Sequence, residues 1–325
     1  MEKPNRNNHY FAPTTIQPIP LIFAEYVDFW LSAYKQSDVR RGTYSRMLEA
    51  RKVLGSYAIA FMRTAEITYM DVKAYLNALV EHGYAKTTIK KQLSIVTAPL
   101  RFAAANHWIS ADPTAGISIP SSTHIVKPDK NICAYEGEEY HNLRILLETE
   151  AHDAYCAALL MIETGMRPGE VIALDWVDML QKKRAIRIHK TAVRDTATGE
   201  WFMQNEPKTA ASNRIVPLSK FAFDMVIRLH EQRQEGQISV FCSVNDERMS
   251  YESFRYQINK ACERVNVPYK GLHIFRHTFA TRQFYKGTSI KILSRLLGHS
   301  SVQVTYDTYI HLYGDALEEM REAVG

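Results

Sequence analysis

No stretch of this chain stays apolar over the roughly 20 residues that a membrane-spanning helix needs. Its N-terminus, Met1-Glu2-Lys3-Pro4-Asn5-Arg6, runs into polar, proline-spaced sequence without the apolar centre of a secretory signal. A membrane-embedded or secreted protein is therefore not expected. The four cysteines, Cys133, Cys156, Cys242 and Cys262, contain no C-x-x-C pair. Zinc-finger and dithiol-redox classes thus give way to buried, reduced thiols in a cytoplasmic protein. No internal repeat or low-complexity tract is present. Charge of one sign is not in large excess either, with 40 Lys/Arg against 35 Asp/Glu, a net of +5. That small surplus is unevenly placed. Residues 1–125 hold 14 Lys/Arg against 9 Asp/Glu, whereas residues 126–325 hold 26 of each, so a polyanion would be gripped by the first third of the chain.

What is there is the composition of a globular protein, 46% hydrophobic and 23% charged over 325 residues, enough for two domains with separate cores. Residues 1–20, with Pro4, Pro13, Pro18 and Pro20, read as a flexible lead-in. Helical spacing then runs to Asp112. Phe23, Tyr26, Val27, Trp30, Leu31 and Tyr34 mark one apolar face, and further helices are expected over 43–54, after Thr68, and from about Thr87 to Asn106. Thr43 and Thr87 are the candidate N-caps. Residues 21–112 thus form an all-helical domain. It carries Arg40, Arg41, Arg46, Lys86, Lys90 and Lys91 near helix starts, where backbone amides and basic side chains suit phosphate contacts. Residues 113–130, rich in Ser, Thr and Pro, read as an extended linker. Over 131–325 the pattern gives helices at 136–150 and 153–164, short strands at 185–189, 201–203 and 214–217, then helices at 220–234, 250–265, 274–286 and 289–297. The expected fold class is mainly α with a small antiparallel β-sheet (α+β).

The residues that bear chemistry lie in this second region. Thr164-Gly165-Met166-Arg167-Pro168-Gly169-Glu170 sits between two helices. Gly165 suits the end of the first and Pro168 the first turn of the next. Arg167 then stands at a helix N-terminus as a guanidinium fork for a phosphate, with Glu170 one turn along to hold it. Pro207-Lys208-Thr209 lies in a polar turn between strands, from which an ammonium can reach a cleft and protonate a leaving oxygen. His273 and Arg276 stand one helical turn apart and can face one point. His277 falls about 100° further round and is expected to point elsewhere, into the protein, as a hydrogen-bonded imidazole. Leu297-Gly298-His299 reads as a glycine-terminated helix with His299 at the exposed corner. Tyr306, Tyr309 and Tyr313 follow, and the spacing of Val302, Tyr306 and Tyr309 suits a buried helix face. Basic and imidazole donors converging on an oxyanion, followed by a phenol, suggest phosphoryl transfer with a covalent phosphotyrosine step.

The ordered set Arg167, Lys208, His273-x-x-Arg276, His299 and Tyr309 resembles the tyrosine recombinase (phage integrase) family. The supporting phrases are Thr-Gly-Met-Arg-Pro-Gly-Glu, Pro-Lys-Thr-x-x-Ser-x-Arg-x-x-Pro-Leu, His-x-x-Arg-His-Thr-Phe-Ala-Thr and Leu-Gly-His-Ser-Ser, and the resemblance covers nearly everything from about residue 20 onward. It implies a helical core-binding domain ahead of a catalytic domain, the two forming a C-shaped clamp on DNA. It implies that Arg167 and Arg276 clamp the scissile phosphate, that His273 and His299 complete the oxyanion contacts, and that Glu170 is the acidic support. Lys208 would be the general acid to the 5′-hydroxyl leaving group, and Tyr309 would attack to form a 3′-phosphotyrosine link. Tyr309 fills the Asp-Thr-Tyr-x-His slot ten residues past His299, as in integrases of mobile elements, where many Xer-type members have nine. Tyr306 falls one turn too early and Tyr313 one turn too late.

No cofactor and no metal is implied, because two arginines supply the charge neutralisation. ATP is not implied either, because a phosphotyrosine ester conserves the bond for rejoining. The implied partners are double-stranded DNA recombination sites, further copies of the chain in a synaptic homotetramer (monomer or dimer off DNA), and accessory DNA-bending or directionality factors. The amphipathic stretch 313–324 would dock on a neighbouring protomer. The implied role is integration and excision of a mobile element or prophage, in a bacterial cytoplasm and on the nucleoid when bound to DNA. Residues 1–20 are too short for the arm-binding domain that many integrases carry, which keeps a Xer-like dimer-resolution or inversion recombinase as the alternative. The competing class is a non-catalytic DNA-binding protein on the same scaffold.

Overall fold

The apolar spacing that begins at Phe23 becomes a helix, α1 (Phe23–Tyr34), in a computed structural model that describes residues 20–120, 134–150, 152–195, 198–204, 213–243 and 245–309. The chain divides into two compact units, residues 1–129 with 195–198, and residues 130–194 with 199–325. In the first unit α1 turns Phe23, Tyr26, Val27, Trp30 and Leu31 inward against α2 (Arg41–Leu54), α3 (Tyr69–Glu81) and α4 (Lys86–Ala105). Leu54, Leu76, Leu79, Val96 and Leu100 are fully buried there, each stabilising the unit by about 1.5–3 kcal/mol. Tyr26 is also buried, and its hydroxyl donates to the Pro99 carbonyl at 2.9 Å, so the phenol enters the core with its polar atom satisfied.

Thr68 and Asp71 form a reciprocal capping box at the start of α3. Thr43 and Thr87 do not cap their helices. α2 and α4 begin earlier, after Arg40 and Ala85, without a side-chain cap. The amides of Thr43 and Thr88 already donate to the Arg40 and Ala85 carbonyls, both at 2.8 Å, so both candidate caps lie inside the first turn. The start of the expected linker is also tied down. Asp112 Oδ1 accepts from the Thr114 amide at 2.8 Å, and Ile117 and Ile119 pack against the helical core; burial of two isoleucines outweighs the Ser/Thr/Pro bias. Residues 121–130 of that segment lie outside the described residues. Asp195, which folds with this unit, accepts from Ser45 Oγ at 2.6 Å and from Arg41 Nε at 2.5 Å.

The second unit runs α5 (Gly137–Thr149), α6 (Asp153–Thr164), α7 (Pro168–Ile172), β1 (Met179–Leu180), β2 (Ala185–Ile188), β3 (Thr191–Arg194), β4 (Trp201–Gln204) and β5 (Arg214–Pro217). It continues through α8 (Lys220–Glu231), α9 (Tyr251–Arg264), α10 (His273–Tyr285), α11 (Ile290–Leu297) and α12 (Val302–Tyr309). α6 is apolar all round and buried from Ala154 to Ile162 but for Cys156, as a central helix must be. The strands form an antiparallel sheet β1-β2-β5 and a hairpin β3-β4. β1 and β3 are not visible in the residue pattern: two residues cannot show alternation, and β3 buries only Ala192. The β2/β5 register pairs Ile186 with Val216 and Ile188 with Arg214. Arg214 therefore shares the inward face with Val216.

The mostly helical chain with small antiparallel sheets is the expected α+β class. α12 departs from the expected burial. It buries Thr305 and Tyr309, four residues apart, and exposes Val302 and Tyr306. Tyr309 instead joins Phe279, Ala280, Leu293 and Leu297 in a small core between α10, α11 and α12. Cys156, Cys242 and Cys262 are free thiols, and burial pushes the pKa of each upward. Among the described residues no helix is long and apolar enough to cross a membrane.

Candidate active site

Two glycine-terminated helices set the geometry. α6 ends at Gly165 in the left-handed conformation (φ 68°), where an added Cβ would stand 2.4 Å from the Phe279 ring. α11 ends the same way at Gly298 (φ 66°). Both reversals leave a carbonyl that a guanidinium takes up. Arg276 Nη1 donates to Gly165 O at 2.8 Å, and Arg167 Nη2 donates to Gly298 O at 3.2 Å.

Arg167 occupies the N-cap of α7 with Pro168 behind it. Glu170, 4% exposed, folds back to accept from the Arg167 amide at 2.9 Å and from its Nη1 at 2.8 Å. The same carboxylate takes two parallel bonds from Arg214, at 3.0 and 2.9 Å, while Arg214 Nε donates to Leu296 O at 2.8 Å. Burial alone would raise the Glu170 pKa, but the hydrogen bonds and charge of Arg214, with the charge of Arg167, hold it down at about 2. In the sequence Arg214 is the arginine of the Pro-Lys-Thr-x-x-Ser-x-Arg-x-x-Pro-Leu phrase, but it carries no expected role in the site. The signal that could have found it is an arginine two positions before buried Val216, on the inward face of a strand.

Three guanidinium groups are gathered here, two of them on one carboxylate. The third, Arg276, is 5% exposed, and its Nη2 has no hydrogen-bond partner among the described residues. Burial, reinforced by the charge of Arg167, pushes its pKa down to about 9, so it stays charged at neutral pH. A buried charged donor without an acceptor is costly, and an anion placed there would relieve it.

The imidazoles surround this excess charge. His299 Nδ1 lies 2.7 Å from the hydroxyl of buried Thr305. Burial, then Arg276, Arg167 and Arg214, lower the His299 pKa to about 4. His273 opens α10 with an exposed side chain; the protein mass around it, then Arg276 and Arg167, also lower its pKa. Both rings are thus neutral donors near pH 7. Tyr309 is 1% exposed, and burial raises its pKa to about 12 against the opposing pull of Arg276.

His277 departs from the expected role. It is hydrogen-bonded, as anticipated, but its partner is the Tyr309 hydroxyl, 2.9 Å from Nδ1, so it joins the site instead of lying outside it. Being 100° round α10 from Arg276 points it at α12, a neighbour that helical phase alone does not reveal. The structure brings together Arg167, Glu170, Arg276, His299 and Tyr309, with Arg214 and His277 added. Lys208, Tyr313 and the stretch 313–324 lie outside the described residues. Of the expected phosphate-contacting residues of the first unit, Arg40, Arg41, Arg46, Lys86, Lys90 and Lys91 are not buried. Arg41 is paired with Asp195.

A model of the phage integrase family matches residues 136–315. Similar sequences include a XerC-like tyrosine recombinase of Caldanaerobacter subterraneus subsp. tengcongensis, 27% identical over 77% of this chain and 69% of that protein. The tyrosine recombinase XerD of Shewanella oneidensis is 27% identical over 95% of this chain and 97% of that protein. Among solved structures, the Tn1549 transposon integrase in complex with a circular intermediate DNA superposes with a TM-score of 0.75 at 18% identity, covering 94% of this chain and 100% of the other. That likeness shows a shared fold.

Proposed function

Because the chain belongs to the phage integrase family, the tyrosine recombinases that cleave and rejoin DNA, we propose that it breaks duplex DNA with Tyr309 at a phosphate held by Arg167 and Arg276. One observation carries this reading: the buried, charged Arg276 keeps Nη2 unpartnered among the described residues, beside a buried phenol whose pKa its charge pulls down. A phosphodiester would satisfy that donor and offset the excess of guanidinium charge.

Attack forms the bond from Tyr309 Oη to phosphorus, the phenol proton passing to water, and breaks the bond to the 5′ oxygen, leaving a 3′-phosphotyrosine. Lys208 is the proposed acid that protonates the 5′ oxygen. Glu170 and Arg214 keep Arg167 at the reacting phosphate. If the Thr305 hydroxyl donates to His299 Nδ1, the His299 Nε2–H is left to donate to the oxyanion. His273 supplies a second neutral donor. Return attack by a 5′-hydroxyl of another strand rejoins DNA without an energy source. Four copies of the chain act on two duplex sites.

We further propose that the biological role is integration and excision of a mobile element. The likeness to a transposon integrase and the ten-residue step from His299 to Tyr309 support this. A Xer-like resolvase is the second reading, favoured by the near full-length match to a XerD protein. Inverted repeats found at the boundary of an element carrying the gene would support the first reading over the second. The test of the chemistry is a nicked suicide duplex spanning that boundary. Wild type traps a covalent protein–DNA adduct on denaturing gels, and Tyr309→Phe binds the duplex without forming it. An adduct with the Phe variant removes Tyr309 as nucleophile.

A further inference from the structure

We propose that His277 is the positioning residue of the nucleophile, fixing the direction of the Tyr309 hydroxyl through its Nδ1 while the neighbouring Arg276 holds the phosphate. The inference rests on the reading of Tyr309 as nucleophile and goes beyond it, because it assigns a role to a side chain outside the phosphate-binding set.

The geometry is specific. Tyr309 is buried to 1% exposure, and its hydroxyl makes one side-chain hydrogen bond among the described residues, to His277 Nδ1 at 2.9 Å. The rings are 6.0 Å apart and tilted by 57°. They are not stacked, so the contact is directional, through a ring-nitrogen lone pair. A phenol O–H is a stronger hydrogen-bond acid than a neutral imidazole N–H, and an imidazole nitrogen is a stronger base than a phenol oxygen. The hydroxyl therefore donates and Nδ1 accepts. Burial, then Arg276 and His273, push the His277 pKa down to about 4, which keeps that lone pair free at neutral pH. With its proton committed to Nδ1, the phenol oxygen turns its remaining lone pairs away from His277.

Two adjacent residues of α10 thus hold the two ends of the displacement. Arg276 is fastened to Gly165 and presents Nη2, and His277, one residue on, holds the attacking oxygen. Their spacing is set by one rigid helix rather than by a loop, which is how a near-attack distance is kept. Sliding or tilting α12 would disturb this bond together with the contact of Thr305 to His299.

The test separates reach from bulk. Asn places a polar atom where His has Nδ1, two bonds from Cβ, whereas Gln carries its amide one bond further out. Single-turnover adduct formation is measured with the full chain on the nicked duplex described above, together with DNA affinity. His277→Asn is expected to cleave within about threefold of wild type, and His277→Gln and His277→Ala about 10–100-fold more slowly with unchanged affinity. A DNA-free readout comes from 3-fluorotyrosine at position 309. Its fluorine resonance should shift in the Ala and Gln variants and hold in the Asn variant. Wild-type rates in the Ala variant, or an Asn variant as slow as Ala and Gln, overturn the proposal. If the Ala variant does not fold, the Asn/Gln pair still decides. An adduct in Tyr309→Phe instead removes the nucleophile reading and this proposal with it.

Discussion

Replacing Arg214 with alanine strikes the residue on which the rest of the cluster leans. Arg214 is 7% and Glu170 4% exposed at the side chain, and they share two parallel hydrogen bonds. Removing one partner of such a buried pair costs about 3–5 kcal/mol. Glu170 would keep Arg167, through the backbone amide and Nη1, which places the loss near the lower end. The Leu296 carbonyl also loses its donor, worth about 1 kcal/mol. A total of about 4 kcal/mol corresponds to a fall in melting temperature of roughly 8–16 °C for a unit of this size. The functional effect runs through Arg167, whose support carboxylate is no longer held from behind, and adduct formation on the suicide duplex should drop on the order of 100-fold. Arg214→Lys keeps the charge without the planar fork and should fall between wild type and Ala on both measurements. Calorimetry and single-turnover cleavage are the assays. An Ala variant that melts within about 2 °C of wild type and cleaves at the wild-type rate would refute the role given to this ion pair.

Three further outcomes are expected. Gly165→Ala should cost about 1–3 kcal/mol, because its Cβ would stand 2.4 Å from the Phe279 ring at φ +68°; a thermal melt equal to wild type would show that α6 can end without glycine. The pKa values of His277 and His299 are lowered from 6.5 to about 4, so between these limits the unfolded chain binds more protons than the folded one. Their contribution is full above pH 6.5 and is lost as pH falls toward 4, roughly 1–2 kcal/mol each by pH 5 after solvent screening. Urea denaturation at pH 7.5 and 5 should show that loss shrinking in a His277→Asn variant. Finally, DNA affinity should fall steeply with salt. Lys90→Ala or Arg46→Ala should flatten the log–log slope by about 0.9 for each phosphate that is no longer neutralised, and an unchanged slope would take those residues out of the interface.

Much of this was legible in the chain because it is local. The i, i+3, i+4 recurrence from Phe23 to Tyr34 specified a helix and its buried face, and Gly165 and Pro168 marked the end of α6 and the start of α7. His273 and Arg276 share a helix face by spacing alone. The misplaced features are those in which a distant neighbour or a competing backbone bond outweighs the local signal. Thr43 and Thr87 have the side chains of N-caps, but their helices start earlier, on the Arg40 and Ala85 carbonyls. Val302, Tyr306 and Tyr309 have helical spacing, yet α12 rolls to bury Thr305 with Tyr309, because His299 takes the Thr305 hydroxyl and the Phe279–Leu297 core takes the ring.

Sequence by itself determined the helical and strand periods, the order of the phosphate-binding residue types and which tyrosine falls in the family's slot, since these follow from residue identity and spacing along the backbone. Only the tertiary structure decided which groups meet. Glu170 is held by an arginine 44 residues away and Tyr309 by a histidine 32 residues away, and Arg276 keeps a donor free among the described residues. Such pairings depend on how helices and strands pack, because a period states which face a residue occupies and never what stands opposite it.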